Sequence, residues 1–152
     1  MIKKKPYLIL VFITTLFIAL YFFTSLDLNF FINIHDTYYV VTRELVFLFF
    51  IILFGLTSLV YFILDFLKIN FSLKSIWFHI TGLISITAII FYLNYLSSEF
   101  DKKEKTFEDY LNAIDYNKYI FMLVLILFSF QFFFIINIIP QLIRKIINTL
   151  KN

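Results

Sequence analysis

Leu45 to Leu64 reads LVFLFFIILFGLTSLVYFIL, a run without charge or proline and with one glycine. A helix needs about 20 apolar residues to cross a hydrocarbon layer about 30 Å thick, and this run meets that length by itself. The whole chain has the same character. Of its 152 residues 62% are hydrophobic and only 15% are charged, which places most of it in lipid rather than water. Two glycines and two prolines leave little turn chemistry, and the apolar runs are continuous rather than alternating. That pattern predicts an all-α integral membrane protein of a few long helices and argues against a barrel of many strands.

Upstream of the run lie Arg43 and Glu44, and before them Thr37 to Thr42 is apolar enough to extend the helix to about residue 37. Asp36 or Thr37 is the expected N-cap, accepting an amide hydrogen bond that the first turn leaves unmet. Residues 26–36 are a short polar connection holding Asp27, Asn29, Asn33, His35 and Asp36. Before it, Tyr7 to Phe23 is apolar except for Thr14 and Thr15, and Lys3, Lys4 and Lys5 precede it. The exit Tyr21-Phe22-Phe23-Thr24-Ser25-Leu26 lacks the small-x-small pattern of a signal-peptidase site, so an uncleaved first span is expected.

Downstream, residues 65–75 form a second connection, where Asp65 and Lys68 have the spacing of a helical ion pair. Ile76 to Leu96 is a third span, with Trp77 read as an interfacial anchor and His79, Thr81, Gly82, Ser85, Thr87 and Asn94 inside it. His79 is expected to make an interhelical hydrogen bond or a headgroup contact. Gly55, Thr57 and Ser58 are read as small residues that let a neighbouring helix approach. Residues 97–118 are the one extended polar stretch, where Phe107, Leu111 and Ile114 recur at helical spacing and predict a short amphipathic surface helix. Tyr119 to Ile139 is a fourth span containing Ser129, Gln131 and Asn137, and Pro140 interrupts it. Leu142, Ile143, Ile146, Ile147 and Leu150, with Arg144, Lys145 and Lys151 elsewhere, describe a separate basic interfacial helix over 140–152.

These readings give one membrane domain over 1–152 with spans at about 7–25, 37–64, 76–96 and 119–139, outer loops 26–36 and 97–118, and a tail 140–152. With both termini cytoplasmic, the inner segments carry Lys3, Lys4, Lys5, Lys68, Lys74, Arg144, Lys145 and Lys151 with Asp65 as their single acid. The outer segments carry Arg43, Lys102, Lys103, Lys105, Lys118 and the remaining acids. The cation bias therefore predicts N-in and C-in topology in the cell (inner or plasma) membrane. A net charge of +3 is explained by this clustering beside spans and does not call for nucleic acid. The 23 phenylalanines are read as lipid-facing residues of a compositionally biased chain rather than as a binding cage. Absence of cysteine excludes disulfides, thiolate nucleophiles and iron–sulfur clusters.

The polar cluster at the mouth of the second span, His35-Asp36-Thr37-Tyr38-Tyr39-Val40-Val41, resembles the haem-copper (cytochrome c) oxidase subunit I family, where HDTYYVV opens a transmembrane helix on the outer side. Leu26-Asp27-Leu28 is similar to the approach to that motif, so the resemblance covers roughly Leu26 to Leu64. By resemblance, His35 and Asp36 match residues of a magnesium or manganese site completed by a carboxylate from another subunit. The family motif continues Ala-His-x-His with two haem-ligating histidines, whereas this chain has Thr42-Arg43-Glu44-Leu45. Arg43 and Leu45 cannot ligate haem iron, and the remaining histidine, His79, is expected near the opposite surface, a span away from His35.

No haem is therefore expected, no catalytic residues are assigned and oxidase activity is not expected. His35 and Asp36 could hold a divalent cation only with further oxygen ligands, for which Asp27, Glu44 and the acids between Glu99 and Asp115 are the candidates. Capping and hydrogen bonding explain the same two residues without metal. The function expected is that of a non-catalytic accessory or interaction protein, with the lipid bilayer and other membrane subunits, including respiratory complexes, as partners. The alternative is a small transporter or divalent-metal-binding protein using an outer site of His35, Asp36, Arg43 and Glu44. Arg43 and Glu44, adjacent and about 100° apart on a helix, are expected to serve different neighbours.

Overall fold

A continuous apolar run that bonds its own backbone forms helix, and four helices lie among the described residues. The computed structural model of the protein describes residues 5–23, 30–34, 37–69, 72–102 and 115–150. In chain order they form α1 (Tyr7–Phe23), β1 (Phe30–Ile34), β2 (Thr37–Val41), α2 (Arg43–Phe66), α3 (Leu73–Lys102) and α4 (Tyr116–Leu150). Three segments are long and apolar enough to cross a membrane: Arg43–Phe66, Leu73–Phe100 and Tyr116–Ile147. The fourth helix, α1, has 17 residues and is about 25 Å long at 1.5 Å per residue, shorter than the layer it would cross.

Ring contacts give the helix directions. Tyr7 meets Phe62 while Phe17 meets Phe50, so α1 and α2 run antiparallel. Phe50 meets Phe91 while Tyr61 meets His79, so α2 and α3 are antiparallel as well. Phe49 meets Phe128 and Tyr61 meets Phe134, making α4 parallel to α2. The bundle is thus up-down-up-down, with a hairpin end near Phe23, Arg43 and Lys102 and a far end near Tyr7, Phe66 and Leu73.

The segment Thr37–Val41 corrects the expected helix start. It pairs antiparallel with Phe30–Ile34, in a register that sets Phe30 opposite Val41, Ile32 opposite Tyr39 and Ile34 opposite Thr37. Threonine, tyrosine and valine lose side-chain freedom in a helix and pack well on a pleated ribbon, and Phe30–Ile34 offers a second run of the same kind. The region expected to be a loop therefore supplies a strand, and β1 lies against α4. Helix α2 starts six residues later than expected. Its N-cap is Thr42, which is extended and makes no side-chain capping bond, so neither Asp36 nor Thr37 caps it.

Two further boundaries differ from expectation. At the end of α2, Ile69 N–H donates to Leu64 O and Lys68 N–H to Asp65 O, both at 3.0 Å, while Lys68 adopts φ 51°. This double closure uses a residue in left-handed conformation just past the helix, so Lys68 stands outside the helical spacing required to pair with Asp65. At the other boundary, α4 continues through Pro140 to Leu150 as one 35-residue helix, in place of a span and a separate interfacial helix. Proline removes one backbone donor, and the flanking turns maintain the helix. The expected amphipathic helix with Phe107, Leu111 and Ile114 lies outside the described residues.

The interior towards the hairpin end is built from phenylalanine. Phe17 of α1 stacks on Phe50 at 5.2 Å, Phe54 at 5.7 Å and Phe91 at 5.8 Å between ring centroids, with Phe47 also against Phe17 and Phe91. Phe47, Phe50 and Phe54 are fully buried, whereas Phe12, Phe23, Phe132 and Phe133 face outward. The second group is exposed, as the expectation of lipid-facing phenylalanines requires, and the burial of the first group goes against it. Ring stacking here packs α1, α2 and α3 against one another.

Candidate functional site

Polar side chains in the spans mostly bond one turn back along their own helix: Thr14 to Leu10 O, Thr15 to Val11 O, Thr81 to Trp77 O, Ser129 to Leu125 O and Asn137 to Phe133 O. Such bonds satisfy hydroxyls and amides where water is absent. Two sets instead cross between helices. Gln131 Nε2 donates to Thr57 Oγ1 at 3.1 Å, and the Thr57 hydroxyl donates to Leu53 O at 2.7 Å, joining α4 to α2. Tyr61 OH and His79 Nδ1 lie 3.0 Å apart, joining α2 to α3 as an interhelical hydrogen bond, one of the two roles expected of His79.

The Tyr61–His79 pair lies at the far end of the bundle and is the most organised polar site among the described residues. Tyr61 and His79 are both buried. Phe134 of α4 lies flat on the imidazole, with centroids 4.3 Å apart and planes 10° apart, and Phe130 stacks further along the same ring. His79 Nε2 is buried and makes no hydrogen bond. Beside it is a mostly apolar cavity of about 30 Å³, whose lining includes the polar Tyr61, Ser75, His79 and Asn137 together with Phe78 and Phe133. The two ring nitrogens take different roles, since whichever tautomer serves Tyr61 fixes what Nε2 can do: a hydroxyl donating to Nδ1 leaves Nε2 as a donor.

Sequence reading named His79 and Asn137 but missed Tyr61 and Ser75. Tyr61 is hidden within an apolar run, and only its partner on another helix marks it. A tyrosine four residues after Thr57 on one helix face is the sole local signal, and it is weak.

His35 and Asp36 lie outside the described residues, as do Asp27 and the acids from Glu104 to Asp109. Among the described residues no three His, Cys, Asp or Glu side chains gather at a metal-binding distance. Arg43 and Glu44 form an ion pair at 3.0 Å, which corrects the expectation that they serve different neighbours. At the first turn of α2 the Arg43 side chain is half-buried and that of Glu44 exposed. Glu44 also sits in the first turn of α2, where the helix dipole favours an acid. Gly55 faces α1 but leaves room for more than glycine, since a Cβ built there would meet Thr14 Cγ2 at 3.6 Å, an ordinary contact, so the close approach expected at Gly55 does not depend on its lacking a side chain. Gly82 is the tighter site, since its Cβ would come within 2.5 Å of Phe130 Cε1. Compared with known proteins, the chain matches no protein-family model, no curated protein and no solved structure.

Proposed function

We propose that this protein is a four-span, N-in and C-in accessory or interaction protein of the cell membrane that does no chemistry of its own. The observation that carries the reading is the stack of Phe17, Phe47, Phe50, Phe54 and Phe91, contributed by α1, α2 and α3. A transport path through the bundle would have to pass this plug of close-packed rings, whereas a protein that presents its outer faces to partners gains from a solid centre. In this reading α1 spans by pairing along α2, with local bilayer thinning matching its shorter length. Respiratory membrane subunits are the proposed partners, on the resemblance of His35 to Val41 to the oxidase subunit I helix opening.

Affinity purification of the full chain from native membranes in mild detergent tests this. Stoichiometric recovery of respiratory subunits, with no metal or haem in the same sample by elemental analysis and visible spectrum, is the expected result. Recovery of the chain alone would overturn the partner assignment. The second reading, a divalent-cation site at His35 and Asp36, predicts stoichiometric metal in the wild type that disappears in a His35→Ala, Asp36→Ala double variant.

A further inference from the structure

The cavity beside His79 has a composition that selects its occupant. Its volume of about 30 Å³ admits one or two groups the size of water, a single one of which needs about 10–15 Å³. Ser75, Phe78 and Phe133 in its wall are exposed on the outside of the bundle, so the mouth opens along the seam of α3 and α4. Phe78 and Phe133 are 64% and 65% exposed, and apolar rings this close to Trp77 and the end of the span suit the boundary between headgroups and acyl chains rather than bulk water. At the inner end, His79 is 94% buried by its 6% exposure, and Nε2 lacks a partner while Tyr61 holds Nδ1. Asn137 commits one N–H of Nδ2 to Phe133 O, which leaves its side-chain oxygen and a second N–H to offer. No Lys, Arg, Asp or Glu is among the lining residues, so a charged group would enter without a counter-ion, at a desolvation cost that the site does not offset.

We propose that Ser75, His79 and Asn137 form a membrane-facing site for the hydroxyl or carbonyl oxygen of an uncharged amphiphile, whose chain lies along Phe78 and Phe133. The oxygen bonds His79 Nε2, and the aromatic wall takes the first methylenes. Water offers the same oxygen without the chain. The inference stands apart from the accessory role, because it concerns the far end of the bundle and needs no partner protein.

The test uses the full chain in phosphatidylcholine vesicles and three lipid probes that carry a photoactivatable diazirine near the polar end: a diacylglycerol, a phosphatidylglycerol and an alkane without a headgroup. Mass spectrometry of the cross-linked peptides reads the labelled residues. Diacylglycerol is expected to label residues 75–79 and 133–137 above the other two probes, and excess unlabelled diacylglycerol to suppress that labelling. In His79→Leu the excess should fall about fivefold, the change in occupancy that one lost hydrogen bond of about 1 kcal/mol produces. Asn137→Leu serves as a second variant if His79→Leu does not fold, and labelling elsewhere on α1 and α2 should stay constant. Equal labelling by all three probes, or none at 75–79, means that water alone occupies the cavity and overturns the proposal. Preference for phosphatidylglycerol also overturns it, by showing that charge is accepted.

Discussion

At Gly82 the α3 backbone and the Phe130 ring of α4 leave no room for a side chain, since an added Cβ would approach Cε1 to 2.5 Å and Cζ to 3.0 Å. Phe78 and His79, one turn earlier on α3, also contact the ring, so moving it away from Gly82 disturbs those contacts too. Gly82→Ala is therefore expected to destabilise the bundle by about 1–3 kcal/mol, the usual cost of overpacking, read as a lower unfolding midpoint in a detergent titration. Thr87 behaves oppositely. Its hydroxyl is buried and makes no hydrogen bond, so Thr87→Val removes a polar atom at nearly constant shape. The same titration should show Thr87→Val unchanged or up to about 1 kcal/mol more stable, and a loss would mean that the hydroxyl has a role in the folded state. Tyr61→Phe deletes the bond to His79 Nδ1 and is expected to cost about 0.6–1 kcal/mol, as interhelical bonds in membranes do. Combined with His79→Leu in a double-mutant cycle, its effect should be less than additive.

The elements carry a second set of consequences. Strand β2 and helix α2 divide at Thr42, and the division falls where β-branched and aromatic residues give way to Glu44 and the leucine- and phenylalanine-rich run. Residues 37–41 should accordingly show strand-like Cα and Cβ chemical shifts in the full-length protein, and helical shifts there would restore the longer helix expected from hydropathy. Lys68 holds a left-handed conformation that favours glycine, at a cost of roughly 1 kcal/mol for a residue with a Cβ. Lys68→Gly should therefore hold or raise the unfolding midpoint. Pro140 lies within a helix that continues for ten residues beyond it.

For the whole molecule, topology and packing are separate matters. The absence of cysteine makes topology directly measurable, because single cysteines can be introduced without background. With N-in and C-in orientation, Lys118→Cys should react with an impermeant maleimide in intact cells, whereas Lys68→Cys and Lys145→Cys should react only after permeabilisation. The reverse pattern would invert the chain, and reaction of both Lys5→Cys and Lys68→Cys on opposite sides would remove α1 from the count of spans. The bundle's centre is a separate test. Phe50→Ala empties a fully buried position between Phe17, Phe54 and Phe91, and a loss of about 3–5 kcal/mol is expected if the rings form one packed unit.

Hydropathy alone determined that the chain makes long apolar helices, because a backbone in lipid must satisfy its own hydrogen bonds whatever surrounds it. The run from Leu45 to Leu64 and the long apolar helices that hold His79 and Gln131 were legible for this reason. The small size of glycine and the bonding habits of buried hydroxyls are local properties. Hydropathy does not distinguish strand from helix in a short apolar segment, so Thr37–Val41 was read as helix until its pairing with Phe30–Ile34 became visible. Pairing is a property of two segments, and neither shows it alone. The same holds for Tyr61, the ring stack around Phe17 and the contact of Gly82 with Phe130, each of which depends on where another helix places its side chains. Composition gave helices long and apolar enough to cross a membrane, and the tertiary structure decided which of their rings face outward and which meet each other.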